Sequence, residues 1–178
     1  MTNMIEHMST PTRDRHESDG PLLLFVCSGN ICRSPMAAAL AADAAARDGF
    51  DIRVASFGTM ALVGERAEAD AHRAVAEVGL SLAAHRARQA NRKAVLEATL
   101  TVAATRMHRA WLRAQAPDAH IVSFDELTGL GDIPDPYGAS LSEYRVIREM
   151  LRAGMPKVLA ALKASAQARA KHGKSAYE

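Results

Sequence analysis

Cys27 and Arg33 lie six positions apart in FVCSGNICRSP, residues 25–35, a stretch that also holds Cys32 and ends on Ser34–Pro35. An apolar run, PLLLFV, precedes it and an alanine-rich run, MAAALAADAAARD, follows it. A strand that passes through a tight loop into a helix N-terminus gathers uncommitted backbone N–H groups around one point, and the helix dipole adds partial positive charge there. Gly29 is expected to let the loop turn without a Cβ clash. Arg33 supplies a planar fork that matches two oxygens of a phosphate-like anion. Cys27 stands at the base of this bowl, where its sulfur is favoured as an anion and is aimed at a phosphorus held above it. The loop donors would then stabilise charge on the equatorial oxygens. No G-x-x-x-x-G-K-[ST] occurs in the chain, so this is not the nucleotide-binding phosphate loop.

Cleavage of a phosphate ester also needs a proton for the leaving oxygen. Asp132 and Asp135 share a loop, GDIPDPYGAS, far along the chain. Asp135 is the better candidate, because Pro136 stiffens the backbone beside it; it would act as acid and then as base for the hydrolytic water. Tyr137 next door would wall a substrate slot. Taken singly these residues are ordinary: a cysteine at a strand end is usually inert packing, and Asp-Pro is common in turns. Their combination carries the reading. Cys32 reads as a packed loop residue, and His72, His108, His120 and His172 read as surface or helix-face residues.

The elements that must position these groups follow from the apolar pattern. PLLLFV runs apolar without alternation, as a parallel strand covered on both faces does. A helix follows, with Ser34 as N-cap, Pro35 at its first position and Gly49 as its stop. Residues 51–57 read as a second strand, and AEADAHRAVAEVGL as a helix ended by Gly79. Strands are expected at 96–104 and 120–124, around a helix RMHRAWLRAQA that stops at Pro117. A last helix opens on Ser140 and Glu143, spaced as a capping box, with Tyr144, Ile147, Met150 and Leu151 on one face. Gly154 and Pro156 are expected to kink or split it. Alternating strands and helices imply one three-layer α/β domain, an open four-stranded parallel sheet with helices on both faces, over residues 21–165. Residues 1–20 read as a disordered tail and 166–178 as a frayed one. Ligands of such sheets bind beyond the carboxyl ends of the strands, where CSGNICRS falls.

The 178 residues suffice for one domain with a core, and a formal net charge of +2 is too balanced to imply a nucleic-acid partner. The longest apolar stretch, Leu22–Val26, is too short to enter a membrane as a span, and the first twenty residues lack a signal-peptide pattern. Two cysteines make no disulfide scaffold, so a cytoplasmic location is expected. Oligomeric state is not encoded in any motif.

On Val26-Cys27-Ser28-Gly29-Asn30-Ile31-Cys32-Arg33-Ser34 and Asp135-Pro136-Tyr137 the chain resembles the low-molecular-weight protein tyrosine phosphatases over roughly residues 21–165. Residues 61–89 and IPDPY look most like bacterial members associated with polysaccharide export. The resemblance implies a fold of the phosphotyrosine phosphatase I type, no cofactor and no metal. It implies hydrolysis of phosphotyrosine through a phosphocysteine on Cys27, with Arg33 binding phosphate and Asp135 as acid and base. Ser28, Gly29, Asn30, Ile31, Cys32, Ser34 and Tyr137 would bind phosphate or substrate. Asn30, Ser34, Ser56 and His85 match a hydrogen-bond network that holds the loop, and Cys32 matches a cysteine that forms a reversible disulfide with the nucleophile. The partner implied is a phosphotyrosine-bearing protein, a bacterial tyrosine kinase being one candidate. Related phosphatases that act on phosphoarginine carry threonine where this chain has Ile31, and a branched apolar residue there favours an aromatic ester. Three features depart from the family: Leu62 stands where an aromatic is frequent, Thr105 where an acidic residue is frequent, and Gly154 and Pro156 interrupt the last helix. Alternative functions are a phosphoarginine phosphatase, an arsenate reductase, or a phosphotyrosine-binding module of weak catalysis. The thioredoxin-coupled reductase needs a third cysteine that this chain lacks.

Overall fold

Leu22–Cys27 forms β1, and every residue from Leu23 to Cys27 is buried, as a strand covered on both faces requires. In the computed structural model, which describes residues 20–175 and side chains as far as Lys171, β1 pairs in parallel with β2 (Arg53–Gly58) and β3 (Leu100–Ala103). β4 (Ile121–Ser123) extends the sheet beyond β3, giving the order β2-β1-β3-β4, all parallel. The expected fold class is therefore the observed one. Side chains alternate across the sheet. Leu23 and Phe25 enter a core with helices α1 (Arg33–Arg47), α2 (Ala69–Ala76), α5 (Phe124–Thr128) and α6 (Leu141–Ser175). Leu24 and Val26 enter a second core with α3 (Arg92–Glu97) and α4 (Arg106–Gln115).

Several expectations are corrected. α1 begins at Arg33, with Cys32 rather than Ser34 at its N-cap and no side-chain cap bond. The Ser34 hydroxyl is committed elsewhere, to Cys27 and Asn30. The strand expected from residue 96 starts at Leu100, because Asn91 caps a six-residue helix, α3, by accepting from the Ala94 N–H at 2.9 Å. The strand expected to reach residue 124 stops at Ser123, which opens α5 through a reciprocal capping box with Glu126. Ser140 and Glu143 do meet, the carboxylate accepting from the Ser140 N–H at 2.9 Å and from its hydroxyl at 3.2 Å.

α6 is one helix of 35 residues, not split at Gly154, and it runs to Ser175. Pro156 and Arg152, whose carbonyl loses its i+4 donor, are both exposed, so water can satisfy the freed acceptor. Gly154 serves packing: a Cβ there would lie 2.3 Å from the Phe124 ring, so its absence lets α6 seat on α5. The tail expected over residues 1–20 lies outside the described residues except for Gly20. Among the described residues no helix is long and apolar enough to cross a membrane.

Candidate active site

β1 ends at Cys27 and α1 begins at Arg33, so residues 28–32 must turn the chain at the carboxyl edge of the sheet. The loop's carbonyls all face outward. Those of Cys27, Ser28 and Gly29 accept from the N–H groups of Thr59, Met60 and Leu62 at 2.8, 3.1 and 3.1 Å. Asn30 O accepts from His85 Nε2 at 2.6 Å. Ile31 O and Cys32 O accept from the Glu68 and Met36 N–H groups at 2.9 and 3.2 Å. Among the described residues, no N–H of residues 28–32 donates to another part of the chain. A loop whose acceptors are all engaged outside and whose donors are all free is a preformed anion cradle.

The left-handed position falls on Asn30, at φ 58°. Gly29 has no φ in that region, and a Cβ on it would make ordinary contacts from 3.4 Å. Asparagine tolerates this conformation and here is fully buried with its amide saturated. Nδ2 donates to Ser34 Oγ at 2.9 Å and Ser56 Oγ at 3.0 Å, and Oδ1 accepts from the Arg88 N–H at 2.8 Å. The glycine that the loop needs is Gly58, at the end of β2: a Cβ there would lie 2.2 Å from Ser28 O.

Cys27 Sγ lies 3.0 Å from Ser34 Oγ. Because Ser34 Oγ accepts from Asn30, its single proton is available to the sulfur or to Phe57 O at 3.3 Å. Both cysteines are free thiols. Cys32 is buried against Tyr144, Sγ to Oη 3.4 Å, and burial pushes its thiol up to about 12, only partly offset by the Tyr144 hydrogen bond. Burial lowers the His85 pKa against the bond to Asn30 O, and since a carbonyl only accepts, Nε2 is the donor there.

Arg33 is 4 % exposed. Its Nη2 donates to Asp135 Oδ2 at 2.7 Å and Ser28 Oγ at 3.2 Å, and its buried Nε has no partner. Asp135 is carried there by Ile133, which is buried and whose N–H donates to Ala104 O, at the end of β3, at 2.9 Å. Asp135 also accepts the Tyr137 N–H at 3.3 Å. Asp132 points elsewhere and accepts from the Arg106 N–H at the start of α4. The cavity that results, about 210 Å³, has Cys27 and Arg33 at its base and Ile31, Met60, Leu62, Asp135 and Tyr137 around it.

His108 lies on a helix, α4, but not at the surface. It is 9 % exposed, with Nε2 2.8 Å from Ser28 Oγ and Nδ1 2.7 Å from Thr105 Oγ1. Ser28 Oγ also accepts from Arg33 Nη2, and Thr105 Oγ1 from the His108 N–H, so both ring nitrogens are engaged with hydroxyls that are themselves held in place. Burial, reinforced by the Arg33 charge, lowers the His108 pKa to about 4. A neutral imidazole therefore braces Ser28 and through it Arg33. Gln89 was also unforeseen. Its Oε1 accepts from Ala61 N–H and its Nε2 donates to Thr59 O, both at 2.9 Å, which fixes the segment that clamps the loop carbonyls. No local pattern marks either residue; only a histidine two positions after the expected start of α4, near the same strand ends, hints at His108. Of the residues expected at the site, Cys27, Ser28, Gly29, Ile31, Cys32, Arg33, Asp135 and Tyr137 line the cavity. Asn30, Ser34, Ser56 and His85 stand behind it in one hydrogen-bonded set.

A parallel four-stranded sheet with a cysteine and an arginine in an anion cradle at its carboxyl edge defines a cysteine-dependent phosphatase architecture. The chain matches the family described as low molecular weight phosphotyrosine protein phosphatase over residues 22–168 and belongs to that family. It is 34% identical over 133 residues to a protein-arginine-phosphatase of Geobacillus stearothermophilus, covering 72% of this chain and 87% of the relative. It is 33% identical over 131 residues to the low molecular weight protein-tyrosine-phosphatase Wzb of Escherichia coli, covering 72% and 86%. Its structure matches that of a low molecular weight protein tyrosine phosphatase from T. tengcongensis with a TM-score of 0.76 at 32% identity, covering 80% of this chain and 99% of that one. The chain is thus a hydrolase of phosphate monoesters by family.

Proposed function

We propose that this phosphatase acts on phosphotyrosine in proteins, with Cys27 as nucleophile. The observation that supports it most is the cradle itself: six outward carbonyls from Cys27 to Cys32, uncommitted N–H groups and an unpartnered Arg33 Nε around one sulfur. In this reading Cys27 sulfur attacks phosphorus and the ester oxygen leaves with a proton from Asp135. Arg33 and the loop amides hold the equatorial oxygens. Asp135 then deprotonates the water that displaces phosphate from the sulfur, and the Ser34 hydroxyl receives the returning thiolate. A nucleophile that must stay a free thiol suits a reducing compartment, so we place the protein in the cytoplasm.

Both phosphotyrosine and phosphoarginine are represented among the relatives' names. The cavity wall favours the aryl ester. Ile31, Met60, Leu62 and Tyr137 offer an apolar slot, and Asp135, already on Arg33, is the one carboxylate among the lining residues. A substrate guanidinium would have no other charged partner there. The test is steady-state kinetics on matched phosphotyrosine and phosphoarginine peptides, with Cys27→Ser as the inactive control. Asp135→Ala should slow esters of poor leaving groups most. Equal or better turnover of phosphoarginine would overturn the substrate assignment, and an active serine variant would overturn the mechanism.

A further inference from the structure

A second hollow of about 370 Å³ opens beside the catalytic cavity. The two share Ser28, Arg33, Met60 and Asp135, so one continues into the other across the Arg33–Asp135 pair. Its far wall is the first turns of α4, where Met107 and Trp111 stand four residues apart on one helix face. Met107 is 82% exposed, Met60 73% and Trp111, the single tryptophan of the chain, 38%. α4 does not need these side chains for the fold, because it seats in the core through Leu112, with Ala116 just beyond its end. A partly exposed tryptophan with two exposed methionines in one hollow, against an active site, offers a binding surface.

The polar and charged groups around the hollow have little left to recognise. His108 spends both ring nitrogens on Thr105 and Ser28. Arg106 pairs with Asp125, and Arg109 with Glu126. What the surface offers is apolar area. The occupant is set by continuity: with a phosphorylated side chain down the catalytic cavity, the polypeptide that carries it must cross the shared rim. Successive residues of an extended chain advance about 3.3–3.6 Å each, so a flanking residue within about three positions reaches the hollow.

We propose that this hollow is a substrate subsite that takes a bulky apolar side chain, Leu, Met or Phe, lying within three residues of the phosphorylated residue. The proposal rests on the protein-phosphatase reading above and narrows it to phosphoproteins with such a flank. Trp111 supplies its own reporter. Titrating the Cys27→Ser chain with phosphotyrosine peptides carrying leucine at successive flanking positions should blue-shift and change Trp111 emission for at least one position. Serine or glutamate there, or a bare aryl phosphate, should not. In the unmodified enzyme the same leucine should raise kcat/KM about tenfold over serine, the factor that partial burial of one leucine side chain supplies. That preference should vanish in Met107→Ser and Trp111→Ala, with turnover of a small aryl phosphate within about twofold of the unmodified enzyme. No emission change with any leucine-flanked peptide, or a flank preference that survives both substitutions, overturns the subsite. Failure to hydrolyse any aryl phosphate would overturn the catalytic reading instead, while the emission titration would still decide the subsite.

Discussion

Replacing Asn30 by alanine removes an amide that holds the cradle from behind and forces a β-carbon-bearing residue to keep φ 58° without the side-chain bonds that stabilise it. Three hydrogen bonds go: two to the Ser34 and Ser56 hydroxyls and one from the Arg88 N–H. The hydroxyls can re-aim, at a loss of about 0.5–1.5 kcal/mol each, whereas an orphaned Arg88 N–H costs about 1–3 kcal/mol. Left-handed backbone adds about 1 kcal/mol for alanine. The sum is about 3–7 kcal/mol, a large share of the roughly 5–15 kcal/mol that holds a domain together. Asn30→Gly loses the same bonds but not the strain, and should be about 1 kcal/mol more stable than Asn30→Ala. Urea unfolding of both variants at constant m-value measures the pair, and turnover of an aryl phosphate measures what the loop has lost. An alanine variant within about 1 kcal/mol of the unmodified protein would refute the saturated-amide account. A glycine variant no more stable than alanine would refute the strain account.

Gly58→Ala should be worse for activity than its size suggests, because the new methyl meets Ser28 O at 2.2 Å and must displace the loop; we expect at least a tenfold fall in kcat/KM with the circular dichroism spectrum preserved. Arg33→Lys should cost at least about a hundredfold in kcat/KM, since an ammonium cannot reproduce the fork; near-normal activity would remove Arg33 from the phosphate grip. His108 titrates near 4 when folded and near 6.5 when unfolded, so the unfolded chain binds the extra proton between those values. Its contribution, about 2–4 kcal/mol, should be complete above about pH 6.5 and lost as the pH falls toward about 4. His108→Asn should flatten that part of the stability profile, and imidazole NMR shifts of the folded protein should show no titration of this ring near pH 6.5.

The sequence made the front of the site readable and hid its back. Cys27, Arg33 and Ser34–Pro35 sit within one strand-to-helix turn, and Asp135 announces itself through Pro136 on a loop at the same sheet edge. The residues that hold the turn act across long separations: His108 meets Ser28 over 80 positions and Arg88 meets Asn30 over 58. No local spacing encodes such contacts, and Asn30, Ser34, Ser56 and His85 were legible only through a family resemblance. Gly29 and Gly58 show the same limit, since which glycine is needed depends on a neighbouring strand. Among the elements, the long periodic helices and buried strands were plain. α3 and α5, six and five residues long, offer too few turns for periodicity to register. In α6, Gly154 and Pro156 are breakers by intrinsic preference, but tertiary packing on Phe124 and a solvent-facing proline overrule it.

Five of the six clamps on the loop carbonyls come from main-chain N–H groups, those of Met36, Thr59, Met60, Leu62 and Glu68. Anchorage of this kind is indifferent to side-chain identity. Met60 and Leu62 therefore serve two masters without conflict: their backbones secure the chemistry while their side chains, 73% and 48% exposed, meet whatever approaches. Selectivity in this scaffold is thereby free to drift or be redesigned at the mouth while the reacting centre stays as it is.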